Sequence, residues 1–279
     1  MSWFENKIAV ITGAGSGIGR ALAIELSQRG AHVALLDRDA DGLEATADQC
    51  DHGSVITRMV DVTDWAAMQQ VAALVGEEFG GVDALFSAAG IIHRGSLVES
   101  EISDIHSVMA VNWLGTVHTV KAFLPLVTAS RGARVVTFSS AYGLMATSKY
   151  GAYNSSKFAV RGFSESLRQE LTESGSDVSV TCVYPGGVRT PIVRNGLYAA
   201  SEPRDAVVRK FEKSVARTEP REAALTVLRG VERRRARVLV GTDARAVSAL
   251  VHLLGGIYQD LVPAVTRLLS QRRSRKPRR

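Results

Sequence analysis

Apolar residues fall along the chain in short runs rich in β-branched side chains, separated by longer stretches with helical spacing. The short runs lie at 7–13, 32–37, 54–62, 83–90, 133–140, 178–186 and 236–241. They are apolar almost throughout, which is typical of strands that are covered on both faces. Helical spacing occurs, for example, at 18–29, 64–79, 104–128, 153–174 and 219–234. Strands that alternate with helices predict βαβ units, and hence an α/β fold with a doubly wound parallel sheet of seven strands between two layers of helices.

The 279 residues are predicted to form one domain with a helical extension. No Pro/Gly-rich linker or internal repeat divides residues 1–245, so we expect a single domain there. Residues 188–217 separate the sixth strand from the next helix, and a long segment in this position often forms a lid over a site. Apolar residues recur at helical spacing over 246–270 and predict an amphipathic C-terminal helix, with a break at Gly255–Gly256. This helix could lie on a membrane surface, but packing on its own domain or on a partner subunit is favoured.

The formal charge of +6 is concentrated at the carboxyl terminus. Six of the last eight residues are basic and none is acidic, so the remainder of the chain is formally neutral. A nucleic-acid site requires basic residues spread over a folded surface. We therefore expect a solvated, disordered tail at 271–279 and no nucleic-acid partner.

The two cysteines, Cys50 and Cys182, lie far apart and in no spacing that is typical of a metal site. We expect two free thiols, no metal ion and a reducing compartment. The first residues reach an apolar run without a basic leader and without the hydrophobic length of a signal peptide. These features predict a cytoplasmic location.

A glycine-rich turn, TGAGSGIG at 12–19, connects the first strand to the first helix. Its glycines allow positive φ and close approach of a ligand, and free N–H groups at a helix N-terminus bind phosphate. The alternative is a tight βα connection without a ligand. The second strand ends at Asp37, 18 residues after Gly19, close to the spacing at which an acid binds the adenosine ribose of NAD. Arg38 could instead pair with the 2′-phosphate of NADP, so NAD is favoured and NADP is the alternative.

The segment SKYGAYNSSK at 148–157 holds two tyrosines and two lysines. Residues four apart lie on one face of a helix, so Tyr153 can pair with Lys157 or with Lys149. Tyr150 is followed four residues later by asparagine instead of lysine. The spacing alone does not decide between the two lysines.

Together, the TGxxxGxG turn and the YxxxK segment resemble the short-chain dehydrogenase/reductase family, from Lys7 to about Thr190. The resemblance implies a Rossmann-like fold, a nicotinamide cofactor and a homodimer or homotetramer. It also selects Tyr153 with Lys157, because the family has a serine thirteen residues before its tyrosine and Ser140 stands at that position.

The resemblance further implies which residues bind the cofactor. The glycine turn would hold the pyrophosphate, Asp61 and Val62 the adenine, and the segment from Pro185 to Thr190 would cover the nicotinamide. Ser87 stands where the family usually has asparagine, which puts one stabilising hydrogen bond in question. The cofactor-binding set is Gly13, Ser16, Gly17, Ile18, Gly19, Asp37, Arg38, Asp61, Val62, Ser87, Ala88, Ala89, Gly90, Tyr153, Lys157, Pro185, Gly186, Val188 and Thr190.

Hydride transfer at an alcohol carbon requires a proton to move to or from the oxygen, and a free tyrosine with a pKa of about 10 is poorly matched to neutral pH. A nearby ammonium lowers such a pKa, so we expect Lys157 to lower that of Tyr153. By resemblance, Tyr153 is the acid/base, Lys157 also holds the nicotinamide ribose, Ser140 binds the substrate oxygen and Asn112 holds a water. Asn112 could instead satisfy a local backbone group.

These features predict NAD(H)-dependent interconversion of a secondary alcohol and a ketone. Leu144, Met145, Tyr150 and Ile192 are expected near the substrate, and their mostly apolar character indicates a hydrophobic substrate. One alternative is an NADP(H)-dependent carbonyl or ketoacyl reductase. The alternative outside catalysis is a dinucleotide-binding scaffold or a membrane-surface adaptor.

Overall fold

The computed structural model describes residues 2–274, with side-chain surroundings up to residue 267. Its strands are β1 (Ile8–Thr12), β2 (His32–Asp37), β3 (Val55–Met59), β4 (Ala84–Ser87), β5 (His93–Arg94), β6 (Arg134–Phe138), β7 (Ser179–Pro185), β8 (Leu197–Tyr198) and β9 (Arg237–Val240). Its helices are α1 (Gly17–Ser27), α2 (Ala40–Ala47), α3 (Trp65–Phe79), α4 (Ile102–Met109), α5 (Gly115–Ala129), α6 (Gly151–Glu173), α7 (Arg204–Lys210), α8 (Pro220–Glu232), α9 (Thr242–Leu254) and α10 (Tyr258–Ser274).

The main sheet has seven parallel strands in the order β3-β2-β1-β4-β6-β7-β9. This confirms the predicted doubly wound α/β fold and all seven predicted strands. The chain leaves β1 in one direction towards β2 and β3 and later continues in the other direction from β4. Ligands of such sheets bind at this point of reversal, beyond the carboxyl ends of the strands.

Adjacent residues of the central strands face opposite layers of helices. Ile11 of β1 packs in a cluster with Leu22 of α1 and Val227 of α8. Its neighbour Val10 packs in a second cluster with Phe123 of α5. Burying a side chain of this size contributes roughly 1.5–3 kcal/mol. Because both faces of the sheet are buried, the strands are apolar at nearly every position.

The helical region predicted at 104–128 is interrupted. It consists of α4 and α5, joined by a π-helical turn at Ala110–Leu114. The strands β5 and β8 had no signal in the sequence, because two residues are too short to show a periodicity. They pair with each other in parallel and form a separate two-stranded sheet.

The segment predicted as a lid, 188–217, has structure of its own. It contains β8, α7 and a π-helical turn at Phe211–Val215. Through β8 it is attached to β5, which follows the fourth strand of the main sheet. The segment is thus fastened to the domain at its middle as well as at its two ends.

The C-terminal extension consists of two helices, α9 and α10, separated at the glycine pair. The separation lies at Gly255, whose φ of +54° favours glycine, and a 3-10 turn at Gly255–Ile257 leads into α10. Helix α10 continues to Ser274, into the segment predicted as a disordered tail, and residues 275–279 lie outside the described residues. Among residues 2–274, no helix combines the length and the apolar character needed to cross a bilayer.

Candidate active site

A cavity of about 650 Å³ lies at the carboxyl edge of the main sheet. Most of the predicted site residues line it, and they come from the ends of β1, β2, β3, β4, β6 and β7 and from the loops and helices that follow these strands. These residues are Gly13, Ser16, Gly17, Ile18, Gly19, Asp37, Arg38, Asp61, Val62, Ala88, Ala89, Gly90, Ser140, Tyr150, Tyr153, Lys157, Pro185, Gly186, Val188, Thr190 and Ile192. The fold therefore brings together residues that are up to 179 positions apart in the sequence.

The glycine turn packs against the turn after β4 with no room for side chains. Gly13 has a φ of +70°, and a Cβ atom there would lie 2.8 Å from the backbone nitrogen of Ala89. The buried hydroxyl of Thr12 accepts hydrogen bonds from the backbone N–H groups of Ala88 (3.1 Å) and Ala89 (3.3 Å). Ser16 precedes α1 and makes no side-chain cap, so the first N–H groups of this helix face the cavity wall without a capping side chain.

Asp37 lies at the end of β2 with its carboxylate held in place by backbone donors. Its Oδ2 accepts a hydrogen bond from Gly15 (2.8 Å) and its Oδ1 accepts one from Asp39 (3.1 Å). Arg38 is exposed beside it and also lines the cavity. The Asp37 carboxylate, fixed by backbone donors, and the exposed Arg38 guanidinium therefore both lie next to the glycine turn.

Asn112 lies in the π-helical turn and is fully buried behind the cavity wall. Its Oδ1 accepts from the N–H of Ile91 (2.8 Å), and its Nδ2 donates to the carbonyl of Ile91 and to Ser156 Oγ, both at 2.9 Å. A Cβ on Gly90 would lie 3.1 Å from Asn112 Oδ1. The side chain thus joins Ile91 and Ser156, which lie 21 and 44 positions away in the sequence, and it does not line the cavity.

Ser140 and Tyr153 meet at the end of β6. The Ser140 hydroxyl lies beside Tyr153; its Oγ accepts a hydrogen bond from the N–H of Tyr142 at 3.1 Å and donates one to the carbonyl of Pro185 at 3.5 Å. Burial raises the pKa of Tyr153 to about 12, although Ser140 acts in the opposite direction. The phenol is therefore protonated at neutral pH in this structure.

Lys157 lies one helical turn after Tyr153, with its Nζ 5.6 Å from the centre of the tyrosine ring. The ammonium donates a hydrogen bond to the carbonyl of Phe138 at 2.9 Å. Burial lowers the pKa of Lys157 to about 8. Burial and the neighbouring Tyr142 and Tyr150 raise the pKa of Tyr153, and Ser140 lowers it, so the lowering that we expect from Lys157 stays a prediction.

Three predicted residues lie elsewhere, besides Asn112. Ser87 is buried inside the sheet, opposite Thr12 on one side and Thr137 on the other, because β4 is a central strand. Leu144 follows a 3-10 turn that directs it into a core cluster with Tyr184. Met145 is also buried, and neither Leu144 nor Met145 lines the cavity.

Several residues that the sequence did not indicate line the substrate side. Tyr142 has its ring centre 5.1 Å from that of Tyr150 and 6.1 Å from that of Tyr153. Its position two residues after Ser140 was the only available signal. The other additions are mostly apolar and come from the lid segment and from α9. They include Ile92, Arg94, Val193, Val207, Phe211, Val215, Asp243 and Val247.

Asp243 holds the turn after β7 in place. Its Oδ2 accepts a hydrogen bond from the N–H of Gly187 at 2.6 Å. A Cβ on Gly186 would lie 2.1 Å from Asp243 Oδ1, so this contact requires glycine. The contact joins the start of α9 to the segment predicted to cover a nicotinamide, across 57 positions of sequence.

Comparisons with known proteins agree with this geometry. A family model described as short chain dehydrogenase matches residues 7–198. SadH of Mycobacterium tuberculosis (strain ATCC 25618 / H37Rv), named as an oxidoreductase, is 44% identical over 266 residues, which cover 95% of this chain and 96% of SadH. A short chain dehydrogenase/reductase from Burkholderia phymatum, solved in complex with NAD, superposes with a TM-score of 0.83 at 30% identity, covering 91% of this chain and 95% of that chain. An alcohol dehydrogenase from Thermococcus sibiricus, complexed with 5-hydroxy-NADP, gives a TM-score of 0.72 at 27% identity, covering 84% and 95% of the two chains.

Proposed function

The chain belongs to the short-chain dehydrogenase family, and from this membership we propose that it uses NAD(H) to interconvert a secondary alcohol and a ketone. The family makes it an oxidoreductase that acts on a CH–OH group. The observation that carries the finer proposal is the meeting, in one cavity, of the Ser140, Tyr153 and Lys157 side chains with the glycine turn and Asp37.

The residues present fit a dinucleotide. The glycines of the turn carry no Cβ, so a ligand can approach the backbone N–H groups of the turn closely. The start of α1 has no side-chain cap, so its first N–H groups can bind a phosphate. Asp37 would accept hydrogen bonds from the adenosine ribose, and Asp61 and Val62 would lie against the adenine. When bound, NAD accepts or supplies the hydride. The Burkholderia phymatum neighbour, whose printed name includes NAD, supports this choice.

The chain's own part is to orient the substrate oxygen and move its proton. Ser140 and Tyr153 line the same cavity side by side, so a substrate oxygen placed between their hydroxyls can accept from both. Tyr153 is protonated at neutral pH and can donate its proton to a carbonyl oxygen as that oxygen gains charge. Lys157 is the cation beside the phenol and stabilises it when it has lost its proton.

Asp37→Asn should change the cofactor preference. Asparagine has one acceptor oxygen, so it can keep the bond from Gly15 while the bond from the N–H of Asp39 is lost, and the charge that repels a 2′-phosphate is removed. With Arg38 beside it, we expect kcat/KM to fall about tenfold with NAD and to rise about tenfold with NADP. Steady-state kinetics with both cofactors measure the two ratios.

The matched control for this prediction is Asp39→Asn. Asp39 also lines the cavity, and its Oδ1 accepts from Gly42 at 3.1 Å, a bond that asparagine can keep. The control should leave the preference unchanged. A wild-type preference for NADP, or an Asp37→Asn variant that still favours NAD as strongly as wild type, would assign the discrimination to other residues.

A hydrophobic substrate is proposed from the walls that face Tyr153. Ile192, Val207, Phe211 and Val247 supply apolar surface there, and burying such surface gains about 25 cal/mol per Å². A panel of alcohols and ketones, followed by the absorbance of the reduced nicotinamide, identifies the class. Turnover of only small polyols or charged sugars would refute this part of the proposal.

Residues 188–217 are proposed to act as a substrate lid that Glu202 fastens. The Glu202 side chain is only 1% exposed, and its two oxygens accept from Arg94 Nε (2.7 Å) and Lys149 Nζ (2.6 Å). Arg94 in turn lies over the ring of Tyr150, 5.0 Å from its centre. Lys149, which the resemblance sets aside as the partner of Tyr153, is therefore part of the attachment.

Glu202→Gln should loosen this attachment. The substitution removes the negative charge that Arg94 and Lys149 share. The free energy of unfolding should fall by about 1–3 kcal/mol, and not by more, because both cations are partly solvated. We expect KM to rise about tenfold with a smaller change in kcat, and the melting temperature to fall by several degrees. Glu212→Gln, which breaks the exposed pair with Arg194 in the same segment, is the control and should change neither. Equal effects of the two variants would contradict the role of Glu202.

Two further expectations from the sequence remain proposals, namely assembly as a homodimer or homotetramer and a cytoplasmic location. NADP(H)-dependent carbonyl reduction is the alternative function, favoured by the exposed Arg38 beside the cavity. Size-exclusion chromatography with light scattering determines the assembly.

A further inference from the structure

Five large apolar side chains near the carboxyl terminus are exposed to solvent. They are Leu250, Leu253, Ile257, Leu261 and Val265, and we call them the C-terminal apolar surface. Their exposed fractions run from 37% to 80%. Residues three or four apart share one side of a helix, so α9 and α10 each contribute a pair of these side chains from one side. Single exposed apolar residues are common, but a group within sixteen residues marks a binding surface.

Other residues of the same two helices pack on the chain's own domain. Ala244 is fully buried, and the hydroxyl of Tyr258, itself buried, accepts a hydrogen bond from the N–H of Ala146 at 3.4 Å. Val247 lines the cavity. The extension is therefore seated on the domain through these residues, and no part of residues 2–267 covers the C-terminal apolar surface.

The charge of the neighbouring sequence indicates what covers it. Between Asp260 and the last residue there are seven lysines and arginines and no acid. A second copy seated on the same surface would bring its own seven basic residues into the contact, and like charges repel. Nucleic acid would match the charge but not the apolar side chains. A lipid surface with anionic headgroups matches both properties.

We propose that the C-terminal apolar surface docks on an anionic membrane, with its apolar side chains at the boundary between headgroups and acyl chains. Val247 in the cavity wall and Leu250 in the docking surface are three residues apart on α9. The docked enzyme would then have its cavity close to the lipid phase, from which a hydrophobic substrate can enter. This last step rests on the proposed function, whereas membrane binding does not.

Co-sedimentation of the full chain with vesicles tests the proposal. We expect binding to phosphatidylcholine vesicles that contain about 30% phosphatidylglycerol, weak binding to pure phosphatidylcholine, and a clear loss as salt screens the charges. The double variant Leu253→Glu/Leu261→Glu should lower the affinity for these vesicles by about tenfold or more, because it places two acids in the interface. Arg272→Gln and Arg273→Gln should each lower it about fivefold.

The matched control is Leu74→Glu in α3, since Leu74 and Leu261 are almost equally exposed, at 43% and 44%. It should bind vesicles as wild type does. The double variant should keep its melting temperature and its activity on a water-soluble substrate, because neither leucine lines the cavity. This separates a failure of membrane docking from a failure of the proposed function.

Three outcomes would overturn the proposal. The first is absence of binding to the anionic vesicles, and the second is an equal effect of Leu261→Glu and Leu74→Glu on vesicle binding. The third is dissociation of an oligomer by the double variant, seen by light scattering without vesicles, which would make this surface a contact between copies of the chain.

Discussion

Tyr153→Phe should lower kcat about a thousandfold while the affinity for NAD stays within a few-fold of wild type. The substitution removes one oxygen atom and leaves the ring, which packs edge-on against Tyr142 with ring centres 6.1 Å apart. Ser140 keeps its bond from the N–H of Tyr142, so no buried donor is left without a partner. The loss would therefore fall on proton transfer and not on folding. Steady-state turnover, NAD titration by fluorescence and thermal denaturation measure the three quantities.

Tyr150→Phe is the control for this prediction. Tyr150 lies three residues earlier, lines the same cavity and contacts the same Tyr142 ring, but its side chain lies beside Arg94 and not beside Ser140. We expect a change in KM of a few-fold and nearly unchanged kcat. A Tyr153→Phe variant with a tenth or more of wild-type turnover, or an equal loss in Tyr150→Phe, would remove Tyr153 from the acid/base role.

The fold could be predicted from the sequence because the signal for each strand is local. Val10 and Ile11 are neighbours that both face buried layers, so the run around them is apolar without alternation. The residues that follow such runs, Asp37 and Ser140 among them, necessarily collect at one edge of a parallel sheet. Strands of two residues leave no periodicity in the sequence, and β5 and β8 were therefore missed.

The candidate site was less predictable where it depends on packing between distant segments. Glu202 and Lys149 are 53 positions apart, and nothing in the residues around either shows that they pair. Leu144 is apolar and close to Ser140 in sequence, yet a 3-10 turn directs it into the core. The pKa of Tyr153 also depends on its burial and on the side chains that pack around it, which spacing on a helix cannot give.

Lys157→Met should abolish most of the activity and yet make the protein more stable at neutral pH. The lysine is fully buried, and burial lowers its pKa from 10.5 to about 8. A shift of this size means that the buried charge lowers the free energy of unfolding by about 3 kcal/mol. Methionine removes this penalty but also removes the hydrogen bond to the Phe138 carbonyl, which costs about 1 kcal/mol. The net gain for methionine, which is similar in length and apolar, is about 2 kcal/mol, or about 5 °C in melting temperature.

The stability difference between Lys157→Met and wild type should depend on pH. Below about pH 8 both the folded and the unfolded chain carry the proton on Lys157, so wild type bears the full penalty. Between about pH 8 and 10.5 the unfolded chain binds more protons than the folded one, so wild-type stability gains on that of the variant as pH rises. Thermal denaturation from about pH 6 to pH 10.5 should therefore show the advantage of Lys157→Met shrinking to nothing or reversing.

Lys121→Met supplies the comparison, because Lys121 is exposed on α5 and the same change there should shift stability by a small amount that is the same at every pH. An advantage of Lys157→Met that did not vary with pH would show that the gain comes from packing alone. The loss of activity in Lys157→Met, expected to exceed about a hundredfold, could then not be attributed to the removal of the charge. A buried charge that destabilises the fold at neutral pH is expected where the charge has a function. Here the Lys157 ammonium lies 5.6 Å from the centre of the Tyr153 ring, close enough to act on the phenol.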